Sequence, residues 1–398
     1  MQQCWRWFGP ADTVGIAELA QVGVQGVVSA LHHYPPGAVW PLAEIEKRQK
    51  MIAASHGLGW DVVESLPVSE AIKTQSKGAS ADFAAYRDSM DNLAAAGIEV
   101  ICYNFMPILD WTRTTLRAKQ DHGGMAMRFD LLDFAVFDLF VLGRSGAKDD
   151  YNAEITNAAK ARFEGMSSDE TQQLQDNIIC GLPGANEGWS LDDLRAQLAD
   201  YAAIDAAKLR QNLIDFLGEV VPHAQKLGLR LCCHPDDPPF SLMGLPRVMS
   251  SLTDYKSVLA AVDSPASGAT FCTGSLGVAG GFDGVEFIRQ LGEKIHFAHL
   301  RNTKRLPSID PARPDFYEAP HLAGDTDMVA IVFALMDEEN RRKAAGRADW
   351  QIPMRPDHGQ DLLDDLRRAS QPGYPLIGRL RGLAELRGIM AAHPYTKG

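Results

Sequence analysis

The chain has 398 residues, 45% hydrophobic and 23% charged, with a formal net charge of -12. This is the composition of a globular protein with ample material for a core, and it excludes the disordered and fibrous classes. The acidic balance also argues against sequence-independent nucleic-acid binding, which needs a basic surface. The N-terminus MQQCWRWFGP lacks a basic region followed by an apolar stretch, and the longest apolar candidate, Leu131 to Leu142, is interrupted by Asp133 and Asp138. Neither a secretory signal nor a membrane span is expected, so a cytoplasmic protein without a membrane partner is. Six dispersed cysteines without C-x-x-C spacing fit reduced thiols.

In chain order, residues 4 to 8 (CWRWF) read as a first strand and 12 to 22 as a helix, followed by the β-branched run GVQGVVSAL ending at His32 and His33. Residues 41 to 56 read as a helix, with Pro41 at its start and Gly57 just past its end, the asymmetry of helix termini. LGWDVVES is a third strand ending near Glu64; a helix over 80 to 96 leads to IEVICYNF, a fourth strand ending at Tyr103 and Asn104. An interruption from about 110 to 200 follows, expected to be a mainly helical insertion. Its LLDFAVFDLFVL segment is apolar nearly all round at helical spacing, so it is expected to be buried, either within the chain or in a homo-oligomer contact. Helices over 203 to 227, 253 to 262, 283 to 292 and 327 to 344 then alternate with LRLCCH, GATFC, KIHFAH and DWQIPMRPDH, and 377 to 391 closes the chain as a helix. Eight strand and helix units predict an α/β fold, a single (β/α)8 TIM barrel with the long insertion after the fourth strand.

Four metal-ligand side chains stand at the ends of four of those strands: His234, Cys272, His299 and Asp357. A lone His or Cys in an apolar run is usually a satisfied core residue, but four at equivalent strand ends converge at the C-terminal mouth of a barrel, where such folds place their chemistry. Two imidazoles, a thiolate and a carboxylate suit zinc, iron, manganese or cobalt, and with open positions such a site acts as a Lewis acid. Around it, Arg301 in HLRN is a candidate for pairing with a carboxylate, and His358, next to Asp357, for general acid or base work. Tyr374 in the PGYP turn is a candidate proton donor, and His32, His33, Glu64, Tyr103 and Asn104 end other strands at the same mouth. Asp236 and Asp237 in HPDDPP are read as turn-forming with a metal-orienting role open, and CTGSLGVAGG as a flexible loop, since it lacks the phosphate-binding G-x-x-x-x-G-K pattern.

At these segments the chain resembles the mannonate dehydratase family, nearly from end to end: WRWFGP, ALHH, VVESLPV, CYNFMPILDWTRT, CCHPDDPP, FCTGS, HLRN, RPDHG and PGYPLIGRLRGLAELRG. The resemblance implies a xylose-isomerase-like barrel that converts D-mannonate to 2-keto-3-deoxy-D-gluconate with loss of water, in hexuronate (glucuronate) catabolism. It implies a divalent metal, manganese first and ferrous iron second. The family's His, Cys, His and Asp ligands fall on His234, Cys272, His299 and Asp357, and its proton-transfer residues on His358 and Tyr374. Two rival readings are a metal-dependent sugar isomerase on the same barrel and a catalytically silent sugar-acid-binding protein. Formation of a 2-keto acid separates the first reading from both.

Overall fold

The computed structural model describes residues 1–54, 56–180 and 189–396; residues 181–188 of the expected insertion and residue 55 of the expected 41–56 helix lie outside the described residues. Eight strands close into an all-parallel barrel, interleaved along the chain with four strands of a second sheet given below: β1 (Gln2–Arg6), β2 (Gly26–Ser29), β3 (Trp60–Glu64), β4 (Val100–Tyr103), β7 (Arg230–Cys233), β8 (Ser267–Cys272), β9 (Ile295–Leu300) and β12 (Pro353–Pro356). β12 returns to pair with β1. Successive strand residues face opposite sides, and one parity fills the bore: Cys4, Val28, Val62, Val100, Cys102, Cys232 and Phe297 form one buried cluster. Two residues beyond five of these stand Arg6, Glu64, Asn104, His234 and His299. The apolar plug and the polar mouth are therefore successive turns of one period-2 pattern.

The opposite parity packs outward on the helices. The helix Ala206–Leu227 buries Leu209, Leu213, Phe216, Leu217, Val220 and Ala224, the three- and four-residue spacing of a core-facing stripe. Phe216 is fully buried against Tyr86, Tyr103 and Phe105, so truncating it to Ala costs about 3–5 kcal/mol. Asp205 caps the N-terminus by accepting from the Lys208 amide, and Gly228 ends the helix at φ 73, where a residue with a Cβ is strained.

The insertion buries its own apolar segment. Leu131–Val136 is α-helical and Phe137–Val141 continues as one π-turn; Leu131, Phe134, Ala135, Val136, Phe137 and Leu142 are all fully buried within this chain. Phe140 stacks on Phe163 of the helix Ala153–Glu164 at 5.2 Å. That helix and Ser168–Ile179 turn mostly polar faces to water.

Four strands absent from the sequence reading form a second sheet, in the order β10-β11-β6-β5. The insertion opens with the hairpin β5 (Thr115–Lys119) and β6 (Met125–Phe129); β10 (Asn302–Leu306) and β11 (Asp315–Ala319) form another directly after β9. Thr115–Lys119 and Asn302–Leu306 are polar with little apolar alternation, and one sheet forms only where β11 pairs with β6 across the chain.

Candidate active site

β7, β8, β9 and β12 are consecutive around the barrel, so His234, Cys272, His299 and Asp357 come from adjacent strand ends. The candidate ligand atoms of His234, Cys272 and His299 lie within 4.8 Å of one another. His234 Nε2 and His299 Nδ1 are 3.1 Å apart, Cys272 Sγ is 3.7 Å from Asp357 Oδ2, and that oxygen is 3.8 Å from His299 Nδ1. Donors bound to one ion at about 2.0–2.3 Å sit roughly 3–4 Å from each other, so these separations are those of a shared coordination sphere.

The proton positions point the same way. The Pro235 carbonyl can only accept, so His234 Nδ1, 2.7 Å away, carries the proton and Nε2 the lone pair. Burial lowers the His234 pKa, which keeps the ring neutral. Arg355 Nη2 can only donate, and it sits 3.4 Å from His299 Nδ1, which therefore also presents a lone pair. Two lone pairs facing at 3.1 Å repel unless a cation lies between them. The Ser275 amide, 3.5 Å away, and the Ser275 hydroxyl, 3.2 Å away, face Cys272 Sγ. His234, Cys272 and His299 thus fit a divalent metal.

Asp357 stands at the edge of this group with arginines on it. Burial alone would raise its carboxyl, but Arg355, His358 and Arg301 outweigh that and hold it well below the usual range. Arg355 pairs with both Asp357 and Glu64, and Arg6 donates to Glu64 Oε1 at 2.8 Å. Glu64 Oε2 in turn lies 3.4 Å from His299 Nε2, the carboxylate-behind-imidazole arrangement that fixes a ligand ring. Arg301 gives its Nη1 to Glu318 at 3.0 Å, its Nη2 to the Ser275 hydroxyl at 3.0 Å and to Asp237, and its Nε lies 3.3 Å from Asp357. Arg113 closes the set on Asp237 and Glu318. Burial favours the neutral acid of Glu318, but Arg301, His358 and Arg113 bring its pKa down to about 2.

His358 and Tyr374 are neighbours over this floor, ring centroids 5.0 Å apart and edge to face. His358 Nδ1 is 3.1 Å from Glu318 Oε1 and also meets Arg301 Nη1. The Tyr374 oxygen accepts from Arg6 Nη1 at 3.1 Å. Burial lowers the His358 pKa and raises that of Tyr374.

Of the other residues placed at the mouth, Glu64, Asn104 and His32 line the cleft, with His32 in its outer part. Tyr103 is turned outward against Phe216, and His33 is exposed beside Glu44. Asp236 accepts from the Met249 amide and the Ser250 hydroxyl, a turn role, whereas Asp237 belongs to the arginine network. The CTGSLGVAGG tract begins with a buried helix, Thr273–Gly277, rather than a flexible loop. Arg301 crosses directly over Gly274, where a Cβ would fall 1.8 Å from Arg301 Nε; only glycine leaves room for the guanidinium.

The sequence reading missed Arg6, Asp110, Arg113, Glu318 and Arg355. Arg6 and Arg355 carried a signal, being charged residues inside apolar strands at inward parity. Arg113 and Glu318 carried none, since each lies in polar sequence that only the second sheet brings to the mouth. Among the described residues, no helix is long and apolar enough to cross a membrane.

Comparison with known proteins agrees with this geometry over the whole chain. The family model described as D-mannonate dehydratase (UxuA) matches residues 1–397. The chain is 53% identical over 392 residues to a mannonate dehydratase of Rhizobium meliloti, covering 98% of this chain and 97% of that one. It is 52% identical over 389 residues to mannonate dehydratase 1 of Agrobacterium fabrum, covering 98% and 96%. A crystal structure of mannonate dehydratase from Streptococcus suis superposes with a TM-score of 0.76 at 30% identity, over 100% of this chain and 95% of that one. Barrel, ligand cluster and full-length match coincide, and the chain belongs to the D-mannonate dehydratase (UxuA) family.

Proposed function

We propose that this protein is a metal-dependent hydro-lyase that removes water from D-mannonate to give 2-keto-3-deoxy-D-gluconate, a cytoplasmic step of hexuronate catabolism. The observation that carries the reading is the ligand cluster lying under a buried His and Tyr pair in a chain of this family. Charge supports it. Arg6, Arg113, Arg301 and Arg355 balance Glu64, Asp237, Glu318 and Asp357, so the frame is neutral. A divalent ion held beside it would supply the positive charge that meets a substrate carboxylate.

His234, Cys272, His299 and Asp357 would hold the metal, manganese first and ferrous iron second. When bound it supplies Lewis acidity to the substrate's carboxylate end. Arg301 is proposed to meet the substrate carboxylate from the pocket side, sharing donors it now gives to Glu318 and Ser275. In the elimination, a base takes the C2 proton, the C3–O bond breaks as an acid protonates the departing hydroxyl to water, and the C2–C3 enol tautomerises to the 2-keto acid. Tyr374 accepts from Arg6 and keeps its own proton for donation, and His358 meets both Glu318 and Arg301 through Nδ1. This supports Tyr374 and His358 as the proton-transfer pair, with Tyr374 a proton donor at rest.

The test is keto-acid formation from D-mannonate by purified protein after chelation and manganese add-back, run beside a metal-free control. No keto acid above that control overturns the reading. Cys272→Ala should lower bound metal at least about tenfold by elemental analysis, and unchanged stoichiometry removes Cys272 from the site.

A further inference from the structure

The pocket over the ligand cluster is too small for a whole hexonate. It encloses about 30 Å³, whereas the chamber opening from it encloses about 150 Å³. One water-sized group needs about 10–15 Å³ measured this way, so the inner pocket seats only two or three such groups and the chamber about ten. Arg6, Ser65, Asn104, Met106 and Asp110 line both, which makes the two one cleft. A six-carbon acid whose first carbons sit at the ligand cluster must extend its remaining hydroxylated carbons past these residues.

Three groups along that path are equipped for hydroxyls. Among the described residues neither ring nitrogen of His32 has a hydrogen-bond partner, and both are shielded from water. A shielded polar group without a partner costs about 1–3 kcal/mol, so a ligand that supplies one gains by it. Burial, with Arg6 and Arg48 beside it, brings the His32 pKa down to about 3. The ring is therefore neutral and offers one donor and one acceptor, as a sugar hydroxyl does. Arg6 Nε likewise has no hydrogen-bond partner among the described residues. Asp110 stands where pocket and chamber join, with Oδ1 accepting only from the adjacent Trp111 amide at 2.9 Å; a carboxylate there can take both protons of a vicinal diol. Across the chamber, Lys73 is already bound to Glu70 Oε1 at 2.6 Å and to the Met106 carbonyl at 2.8 Å, which leaves His32 and Asp110 as the readers.

We propose that His32 and Asp110 form a subsite for the polyol tail of the sugar acid and set its specificity at the carbons remote from the reaction. The inference rests on the sugar-acid reading above, and it names residues outside the metal and proton-transfer sets.

The experiment compares manganese-loaded wild type with His32→Phe, His32→Gln and Asp110→Asn. The readout is kcat/KM for D-mannonate relative to the four-carbon aldonate of matching C2 and C3 configuration, with metal content confirming that each variant is folded. His32→Phe and Asp110→Asn should each reduce the six-carbon preference by roughly tenfold to a hundredfold, because a site built to bond a hydroxyl loses that discrimination when one partner goes. His32→Gln, which keeps a donor and an acceptor, should retain part of it. If His32→Phe fails to load metal, Asp110→Asn and His32→Gln carry the test. Proportional loss on both acids, or no change on either, overturns the subsite. If wild type forms no keto acid, the hydro-lyase reading falls by itself. The subsite is then read by calorimetry on the same two acids: preferential binding of the six-carbon acid that the variants abolish supports it, and equal affinity overturns it.

Discussion

The two ends of the barrel treat charge differently: the mouth interlocks it and the foot keeps it in separate pairs. At the mouth, four guanidiniums and four carboxylates interlock with no side chain more than 4% exposed. At the foot, Arg230 pairs with Glu99 and Lys294 with Asp263, each carboxylate in water, Arg347 pairs half-exposed with Asp349, and the two buried pairs, Arg342 with Glu338 and the Met1 ammonium with Glu339, share no partner with each other. Exposed pairs contribute little because solvent screens them. Buried pairs pay a desolvation cost that an apolar core would avoid. Stability alone does not call for eight interlocked buried charges, so the network points to function: it fixes the side chains around His234, Cys272 and His299 in place.

Breaking one member of the mouth should have the largest effect. Arg355→Met leaves Glu64 and Asp357 buried without their shared partner and should cost about 3–5 kcal/mol of stability, read by denaturant unfolding. A loss below 1 kcal/mol would mean that the mouth is solvated like the exposed pairs of the foot.

The next largest effect belongs to a single buried group near the foot. His296 is buried, has no hydrogen-bond partner on either ring nitrogen among the described residues, and is brought down to about 3 from 6.5 by burial with Arg230 and Arg342 beside it. Its neutral form stabilises the fold fully above pH 6.5, and that contribution disappears as pH falls toward 3. Wild type should therefore lose on the order of 2–4 kcal/mol more than His296→Phe across that window; parallel stability curves for the two proteins would refute it.

Glu318→Gln keeps the shape of the mouth and removes one charge beside His358. It should reduce kcat by about tenfold to a hundredfold with metal content retained. A loss of metal in proportion to activity would instead make Glu318 part of the ligand frame. The smallest effect is expected at the foot, where Arg347→Ala should change stability by less than about 1 kcal/mol. A larger loss would show that the foot pairs are stronger than their exposure suggests.

The eight barrel strands and the helices between them were legible because each carries its own local signal. The apolar runs end in polar sequence, and the amphipathic stripes end in caps and glycines such as Asp205 and Gly228. His234, Cys272, His299 and Asp357 were legible for the same reason, since a strand end at inward parity has only one place to go in a closed barrel. What covers the apolar segment around Phe134 was not legible, because burial within the chain and against a partner leave the same local pattern. The second sheet was hidden too: the two hairpins over 115–129 and 302–319 become one sheet only where Asp315–Ala319 meets Met125–Phe129, far apart along the chain. With it were hidden Arg113 and Glu318, 205 residues apart, and the change of Arg301 from a free cation to one already shared among Asp237, Glu318 and Asp357. By itself the sequence determined the barrel and the strand ends that carry His234, Cys272, His299 and Asp357, because hydrophobic periodicity is written locally. Only the tertiary structure decided which charges meet, because an ion pair depends on distance in space and leaves no mark on the residues that separate its partners.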